Sequence, residues 1–246
     1  DSFTMAIEMR PNTGVGVHRN RTMEVFFQTF APGKLGIIDY HSASRTYSRE
    51  VVGGLNLDVK SVQDRRMQMS LYNWQQKYQN IKTDLATTYL RELIAREAGQ
   101  VRSESDLNDT LKELFETFFP GKEYLGVQPD SSGNLSFPVR LSTGQVHDIN
   151  DLSSGEKEVL YGYLRMRNAT PEYSTILIDE PELHLNPSLL KGLPDFYHRH
   201  LGGGLNNQLW LVTHSDALLR QALGNPAYTL FHMTPAADQE VSHNQA

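Results

Sequence analysis

The sequence predicts an α/β fold with a mainly parallel sheet, N-terminal antiparallel strands and a helical insertion. In the second half of the chain, short apolar runs typical of buried strands alternate with longer amphipathic segments typical of helices. This alternation favours a parallel sheet with helices on its faces. In the first half, strand-like segments precede a long stretch without Gly or Pro, which indicates a block of helix.

The composition excludes several classes of function. The 246 residues carry a net charge of −6, with 39% hydrophobic and 21% charged residues, as expected of a globular protein in water. The charge argues against a uniformly basic nucleic-acid binder. The absence of cysteine excludes disulfides, thiolate metal sites and cysteine nucleophiles, and it favours a cytoplasmic location. The apolar runs are too short for a transmembrane helix, so no membrane partner is expected.

Residues 1–58 are predicted to form the β-rich N-terminal part of the core. Three segments have the composition of strands: 3–9, 23–30 and 35–40. The first two are separated by a turn-rich link from Pro11 to Asn20. The chain starts with Asp-Ser-Phe, which is a poor translation start, so we expect it to begin inside a longer protein.

Residues 59–125 are predicted to form the helical insertion. One helix is expected over 59–99 and a second over 105–119, which ends at Pro120-Gly121. The apolar residues of the second helix recur on one stripe, namely Leu107, Leu111, Leu114, Phe115 and Phe118.

Residues 126–246 are predicted to form the C-terminal part of the core. A hairpin of 135–141 and 145–149 turns at Ser142-Thr143-Gly144. The elements expected after it are a helix at 154–168, a strand at 175–179, a helix at 186–200, a strand at 208–213, a helix at 215–223 and a strand at 228–233.

The most informative segment is Ile-Leu-Ile-Asp-Glu-Pro-Glu at 176–182. A buried strand stops at two adjacent carboxylates, and Pro181 prevents it from simply continuing. Open α/β sheets bind their ligands at the carboxyl ends of their strands. Asp179 could serve a hydrated Mg²⁺ while Glu180 orients a water for attack on a phosphate. Taken alone, the two acids are equally consistent with an ordinary acidic turn.

Two further segments carry polar residues at informative places. Leu-Ser-Ser-Gly-Glu-Lys at 152–157 begins a helix, where free N–H groups and glycine could hold a phosphate, although a simple capped helix explains the same residues. His214 follows the strand that ends in Leu-Val-Thr. A parallel sheet would bring this histidine close to Glu180 if the two strands are neighbours.

Together and in this order, LSSGEK, ILIDEPELHLNP and LVTHS resemble the motifs of the ABC-type ATPases. LSSGEK resembles their signature motif, ILIDEPE resembles the Walker B strand, and His214 resembles the switch histidine. The resemblance implies the P-loop fold of that group. It also implies a head-to-head homodimer, or a higher homo-oligomer, with ATP and Mg²⁺ between protomers.

The same resemblance implies roles for individual residues. In the signature segment, Ser154 and Gly155 would contact the γ-phosphate of nucleotide held by the partner, and the cofactor-binding set comprises Ser153, Ser154, Gly155, Glu156 and Asn186. Asp179 would hold the metal through water, Glu180 would polarise the attacking water, and His214 would sense the γ-phosphate.

The segment after the two acids separates the soluble members of this group from the transport ATPases. Glu-Leu-His-Leu-Asn-Pro at 182–187 resembles the RecF, SMC and OLD-like relatives, which include ATPases of anti-phage defence. Asn186 falls at the D-loop position and would reach the dimer interface. The polar run from Asp39 to Arg45 loosely resembles a segment of those defence ATPases.

A phosphate loop of the form GxxxxGK[ST] does not occur in the sequence. The two Gly-Lys pairs, at 33–34 and 121–122, lack the required neighbours, and Gln28 is a weak candidate for the glutamine loop. We expect the phosphate loop (Walker A segment) to lie upstream of Asp1. The alternative is a degenerate ATPase that binds without turnover.

The function expected from these motifs is that of an ATP-hydrolysing motor or sensor in a nucleic-acid-related or anti-phage complex, with a separate effector such as a nuclease. The alternatives are the nucleotide-binding subunit of a membrane transporter and a non-catalytic scaffold. Basic residues of the insertion offer a nucleic-acid surface, although a solvated helix face explains them more simply. They are Arg65, Arg66, Lys77, Lys82, Arg91 and Arg96.

Overall fold

The computed structural model describes residues 5–10, 14–21, 34–53, 55, 77–99 and 107–232. The predicted strand 23–30, with Gln28, and the part of the predicted helix before Lys77, with Arg65 and Arg66, lie outside these residues.

The first two strands form an antiparallel hairpin. Strand β1 (Met5–Arg10) pairs with β2 (Gly14–Arg19), and the register joins Met5 to Arg19 and Arg10 to Gly14. The prediction of a turn-rich link over 11–20 is therefore wrong for residues 14–19. In this segment Gly and Val alternate, which fits the two-residue period of a strand. The two glycines favoured a turn in the sequence-based prediction because glycine is uncommon inside strands.

The next elements are a short parallel strand and two helices. Strand β3 (Ile38–His41) begins later than the predicted 35–40. Helix α1 (Ile81–Glu97) occupies the last part of the predicted first helix, and helix α2 (Leu107–Phe118) confirms the second. The predicted stripe of α2 is buried at all five positions, as its helical spacing requires.

A group of short antiparallel strands follows. They are β4 (Lys122–Tyr124), β5 (Gln128–Pro129), β6 (Leu135–Ser136), β7 (Pro138–Leu141) and β8 (Val146–Asp148). The hairpin of β7 and β8 confirms the predicted turn at Gly144, whose φ is 85°. The β4 strand pairs with β7, and β5 pairs with β6.

The C-terminal part alternates helices and strands. A 3₁₀ turn (Ile149–Asp151) leads into helix α3 (Ser154–Ala169), strand β9 (Thr175–Asp179), and the short helices α4 (Pro187–Leu190) and α5 (Leu193–Tyr197). After a π-helical turn (His198–Gly202) and a 3₁₀ turn (Gly203–Leu205) come strand β10 (Gln208–Val212) and helix α6 (Asp216–Leu223).

Two predictions for this part are wrong. The expected helix 186–200 is broken at Gly192, which has a φ of 81° that a continuous helix does not allow. Residues 228–232 of the expected last strand are not in a strand. Apolar composition alone does not make a strand without a neighbour to pair with, and none of the described strands pairs with this segment.

The parallel sheet confirms the α/β class. Its described strands lie in the order β10-β9-β3, with β9 in the centre and all three parallel. Ile176 and Ile178 of β9 are fully buried. In β10, by contrast, Trp210 is 42% and Val212 is 53% exposed, so the prediction of a buried strand is wrong for one of its faces.

The hydrophobic core joins the sheet, α2 and α3. Residues of α3 such as Leu160, Tyr163 and Leu164 are buried in the same cluster as Ile176 and Phe196. Among the helices in the described ranges, none has the length and apolar character needed to cross a bilayer.

Candidate functional site

The carboxyl end of β9 holds two acids in different conformations. Asp179 is the last residue of the strand, and its Oδ2 accepts a hydrogen bond of 3.3 Å from the hydroxyl of Tyr40 in β3. Burial, together with the charge of Asp179, raises the pKa of Tyr40, so this phenol keeps the proton that it donates. Tyr40 was not among the predicted site residues.

Glu180 has a strained backbone that the neighbouring strand holds in place. Its φ is 46°, in the left-handed region that costs a residue other than glycine about 1 kcal/mol or more. The N–H of Glu180 donates to the carbonyl of Val212 in β10 at 2.8 Å. None of the described residues forms a hydrogen bond or an ion pair with its carboxylate. The carboxylate is therefore available for a water or a ligand.

His214 lies beside this acidic end, as the predicted sheet required. Val212 is in register with Asp179 in the parallel pair of β10 and β9. Two residues later, the N–H of His214 donates to Oε1 of Glu182 at 2.9 Å. The imidazole itself is exposed. The ends of two neighbouring strands thus place Asp179, Glu180 and His214 at the same edge of the sheet.

The signature-like segment forms a complete capping box at the start of α3. The hydroxyl of Ser153 accepts the N–H of Glu156 at 3.3 Å, and Oε2 of Glu156 accepts the N–H of Ser153 at 2.9 Å. Lys122 forms an ion pair with Glu156 at 2.7 Å. Burial alone would raise the pKa of Glu156, but the hydrogen bonds from Lys122 and Ser153 lower it below its usual value. Ser153 and Glu156 therefore have a structural role whether or not they meet a nucleotide.

The other two residues of this segment differ in accessibility. Ser154 is exposed at the first position of α3, where a helix N-terminus attracts anions. Gly155 is buried, and a Cβ at this position would lie 2.8 Å from the carbonyl oxygen of His184. Gly155 thus lets α3 pack directly against the segment that follows β9.

Asn186 lies directly before helix α4, one residue ahead of its first residue Pro187 and close to the predicted helix start at 186. Its Oδ1 accepts the N–H of Leu189 at 3.1 Å, so it caps the short helix α4. The residue is exposed. Its predicted place at a dimer interface stays a prediction.

Asp179 and Glu180 fit a Mg²⁺ ion that keeps most of its water ligands, but not an ion enclosed by protein side chains. Among the described residues, no group of three or more His, Asp and Glu side chains could enclose a metal. Mg²⁺ at nucleotide sites keeps several waters and binds one or two carboxylates together with phosphates. Asp179 fits this mode, because its carboxylate stands at the end of β9 with one hydrogen bond from Tyr40.

A buried charge cluster lies next to the site in β3. The Asp39 carboxylate contacts Lys77, the hydroxyl of Thr170 at 2.6 Å and Nε2 of His41 at 3.0 Å, and Nδ1 of His41 lies 2.6 Å from the hydroxyl of Tyr78. Burial alone would raise the pKa of Asp39, but His41 and Lys77 lower it well below its usual value. Burial lowers the pKa of His41, so its neutral ring donates to Asp39 and accepts from Tyr78.

Two basic residues of the proposed nucleic-acid surface lie inside the protein. Lys77 is 1% exposed in the Asp39 cluster, and Lys82 is 4% exposed and forms an ion pair with Asp148 at 2.8 Å. They are part of the core and do not contribute to a basic surface. Arg91 and Arg96 are exposed.

The family to which the chain belongs follows from its sequence. A protein-family model described as "AAA domain, putative AbiEii toxin, Type IV TA system" matches residues 28–220, well over half of the 246 residues. The chain belongs to this AAA family. The match covers all of the segments described above, from Tyr40 to His214. No curated protein matches the AAA domain.

The AAA domain is also similar to solved heads of SMC proteins. One is the Smc head domain of Pyrococcus furiosus with an extended coiled coil, bound to the C-terminal domain of ScpA; identity is 17% and the TM-score 0.37, over 56% of this chain and 33% of that chain. A second, described for ATP-driven dimerization and DNA-stimulated activation of SMC ATPases, has 19% identity and a TM-score of 0.38, over 54% of this chain and 78% of that one. A third, an Smc head bound to the C-winged helix domain of ScpA, has 19% identity and a TM-score of 0.38, over 58% and 47%. The AAA domain thus spans less than half the length of two of the three.

Proposed function

We propose that this AAA domain binds ATP with Mg²⁺ and hydrolyses it to ADP and phosphate. The observation that supports this most is the arrangement of Glu180. Its backbone is held in a strained conformation by Val212, while its carboxylate has no hydrogen bond or ion pair with the described residues. Strained residues of this kind cluster at active sites, where the surrounding structure fixes their direction.

Each of the three strand-end residues has one role in this proposal. Glu180 accepts a hydrogen bond from the attacking water and orients it toward the γ-phosphate. Asp179 holds Mg²⁺ through water, and the bound ion neutralises charge on the phosphates. His214, whose ring is exposed beside them, donates a hydrogen bond to the γ-phosphate.

We propose that the site is completed by a second copy of the chain. Ser154 is exposed at the N-terminus of α3, but its neighbours Ser153 and Glu156 are engaged in the capping box. The free N–H groups of this helix end offer an anion site that nucleotide on a partner protomer would fill. A two-fold arrangement then gives two equivalent composite sites, with Asn186 at the interface.

The biological role that we propose is that of a motor or sensor subunit in defence against phage, acting with a separate effector protein. The support is the family description, which names a toxin of a type IV toxin–antitoxin system. Affinity purification of the Glu180→Gln protein from its native cells should retain a second protein in stoichiometric amount. Recovery of a homo-oligomer without a second protein would contradict the proposal of a separate effector.

Substitution of Glu180 tests the enzymatic part. In protein expressed from its complete reading frame, Glu180→Gln should lower kcat by about 10²–10⁴-fold, the usual contribution of a general base. ATP binding should persist, because the substitution leaves the backbone and Asp179 unchanged. The matched control is Glu172→Gln, which removes an exposed carboxylate ahead of β9. Turnover by Glu180→Gln at the wild-type rate would refute the role of Glu180.

A further inference from the structure

Arg45 is a buried cation directly behind the acidic end of β9. The residue is 6% exposed and follows β3 in the chain. Its Nη1 donates to the carbonyls of Ser42 at 2.7 Å and Asp179 at 2.8 Å, and its Nη2 donates to the carbonyl of Glu180 at 2.8 Å. Its Nε donates to the carboxylate of Glu158 in α3. One guanidinium therefore joins three segments that are far apart in the sequence.

The charge state of Arg45 supports this network. Burial alone would lower the pKa of Arg45, but the charge and hydrogen bond of Glu158, together with Tyr78 and Tyr47, raise the pKa above its ordinary value. The guanidinium therefore stays protonated and keeps all of its donors. Lysine carries the same charge but cannot present several donors in a fixed plane.

Arg45 forms hydrogen bonds with the backbone just beyond the point where the pairing of β3 with β9 ends. The pairing of β3 with β9 runs only as far as His41 and Ile178. The carbonyls of Asp179, the last residue of the central strand, and of Glu180, the residue after it, accept hydrogen bonds from Arg45. The carbonyl of Glu180 also accepts the N–H of Leu183 at 3.0 Å. On the opposite side, the N–H of Glu180 is held by Val212. Arg45 is thus one of the groups, together with Val212 and the N–H of Leu183, that hold the strained backbone from which the Glu180 side chain projects.

The same side chain connects Glu180 with the start of α3. Glu158 lies one helical turn after Ser154, so the two residues move together with the helix. Gly155 allows this end of the helix to rest on the carbonyl of His184. The first turns of α3 therefore contact the segment after β9 directly, and they contact Glu180 through Arg45.

We propose that Arg45 is a positioning residue that couples the first turns of α3 to the direction of Glu180. This inference rests on the proposed ATP hydrolysis and deepens it. Because Arg45 is buried, it does not touch nucleotide but acts through the carbonyls of Asp179 and Glu180. Contact of a partner's nucleotide with Ser154 would shift α3, and the Glu158–Arg45 pair would carry that shift to the residue that orients the water.

The test compares Arg45→Lys with Arg49→Lys in protein expressed from its complete reading frame. Arg49 belongs to the same segment, but its ion pair with Asp151 is on the surface, with the Arg49 side chain 69% exposed. Arg45→Lys should lower kcat at least tenfold and change the KM for ATP less than threefold, whereas Arg49→Lys should change neither. Amide hydrogen exchange should become faster at Glu180 and in the first turns of α3 in Arg45→Lys only.

Two outcomes separate this inference from the proposed function. If the wild-type protein hydrolyses ATP and folded Arg45→Lys has the same kcat, the inference is overturned and the proposed ATP hydrolysis stands. Absence of ATP hydrolysis by the wild-type protein overturns the proposed function and the catalytic meaning of Arg45 together. The first outcome includes equal losses of folded protein and of activity, because kcat per folded molecule is then unchanged and Arg45 is purely structural.

A second variant tests the same contact from the other partner, in case Arg45→Lys folds poorly. Glu158→Gln retains an acceptor of nearly the same size but removes the charge that faces Arg45. It should lower kcat less than Arg45→Lys, and the double variant should lose less than the product of the two single losses. Independent, multiplicative losses would show that the pair does not act as a unit.

Discussion

The Glu182 carboxylate accepts the backbone N–H of His214 at 2.9 Å, across the ends of β9 and β10. The other oxygen of this carboxylate is buried and has no hydrogen-bond partner among the described residues. Glu182 thus ties the start of the His214 segment to the turn that follows Glu180. This contact gives the third acid of the motif a function different from that of the first two.

Removal of this contact should impair the position of His214. Glu182→Ala should lower kcat by about 10- to 100-fold, since a lost hydrogen bond to a charged group is worth about 1.5–3 kcal/mol and 1.4 kcal/mol corresponds to tenfold in rate. Glu182→Gln keeps an oxygen acceptor at the same place and should restore most of the activity. Steady-state ATPase assays decide this, and equal activity of the Ala and Gln variants would show that the hydrogen bond is not used.

Gly155 should be required for the stability of a single protomer, independently of any dimer. Ala is favoured over Gly in a helix by about 1 kcal/mol, but the added Cβ would lie 2.8 Å from the backbone oxygen of His184, and overpacking costs about 1–3 kcal/mol. Gly155→Ala should therefore lower the free energy of unfolding. Gly162→Ala in the same helix is the control, because its Cβ would meet its nearest atom at 3.6 Å. Urea denaturation of both variants compares them, and a Gly155→Ala protein as stable as Gly162→Ala would contradict the close packing.

Ser154 is a better probe of dimer closure than Gly155, because it is exposed. In a Glu180→Gln background, which should accumulate the ATP-bound state, Ser154→Trp should prevent ATP-dependent dimerisation by filling the space for the partner's phosphate. Thr143→Trp, in the exposed turn between β7 and β8, should leave it intact. Sedimentation velocity with and without ATP measures the oligomer. Dimers of the Ser154→Trp protein would rule out a composite site at the start of α3.

The buried His41 should make stability depend on pH. Burial lowers its pKa, so between the folded pKa and the unfolded value of about 6.5 the unfolded chain binds more protons. The free energy of unfolding should therefore fall as the pH is lowered from 7.5 to 5.5, by at most about 1.4 kcal/mol per pH unit for one proton. Burial also lowers the pKa of His200, which acts in the same direction.

The contribution of His41 is measured as a difference between variants. Burial raises the pKa of Glu158 and of Glu50, so these acids oppose the histidines as the pH falls. Urea unfolding at the two pH values should give a smaller pH dependence for His41→Gln than for the wild type. His147→Gln, at an exposed position, should retain the wild-type dependence. If the free energy of unfolding changes equally with pH in all three proteins, His41 does not take up a proton on unfolding.

Local sequence signals predicted the elements that carry the candidate site. The apolar run 175–179 gave β9, the serine and glutamate spacing gave the capped start of α3, and the apolar stripe gave α2. Each of these signals acts within a turn or two of the chain, between residues that are close in sequence. The two acids at the end of β9 and the histidine after β10 therefore could be placed at one edge before the structure was known.

Other features could not be deduced locally. The break at Gly192 and the pairing of 14–19 depend on contacts that override composition, and the pairing of Arg45 with Glu158 joins residues 113 positions apart. Composition does not specify such pairs, because their stability comes from burial and hydrogen bonds that exist only after folding.

The sequence by itself thus determined which chemical groups stand at the ends of the strands. Only the tertiary structure decided how they are held: Glu180 by Val212 and Arg45, and His214 by Glu182. The physical reason is that a side chain's identity is local, whereas the direction in which it points depends on backbone hydrogen bonds from distant segments.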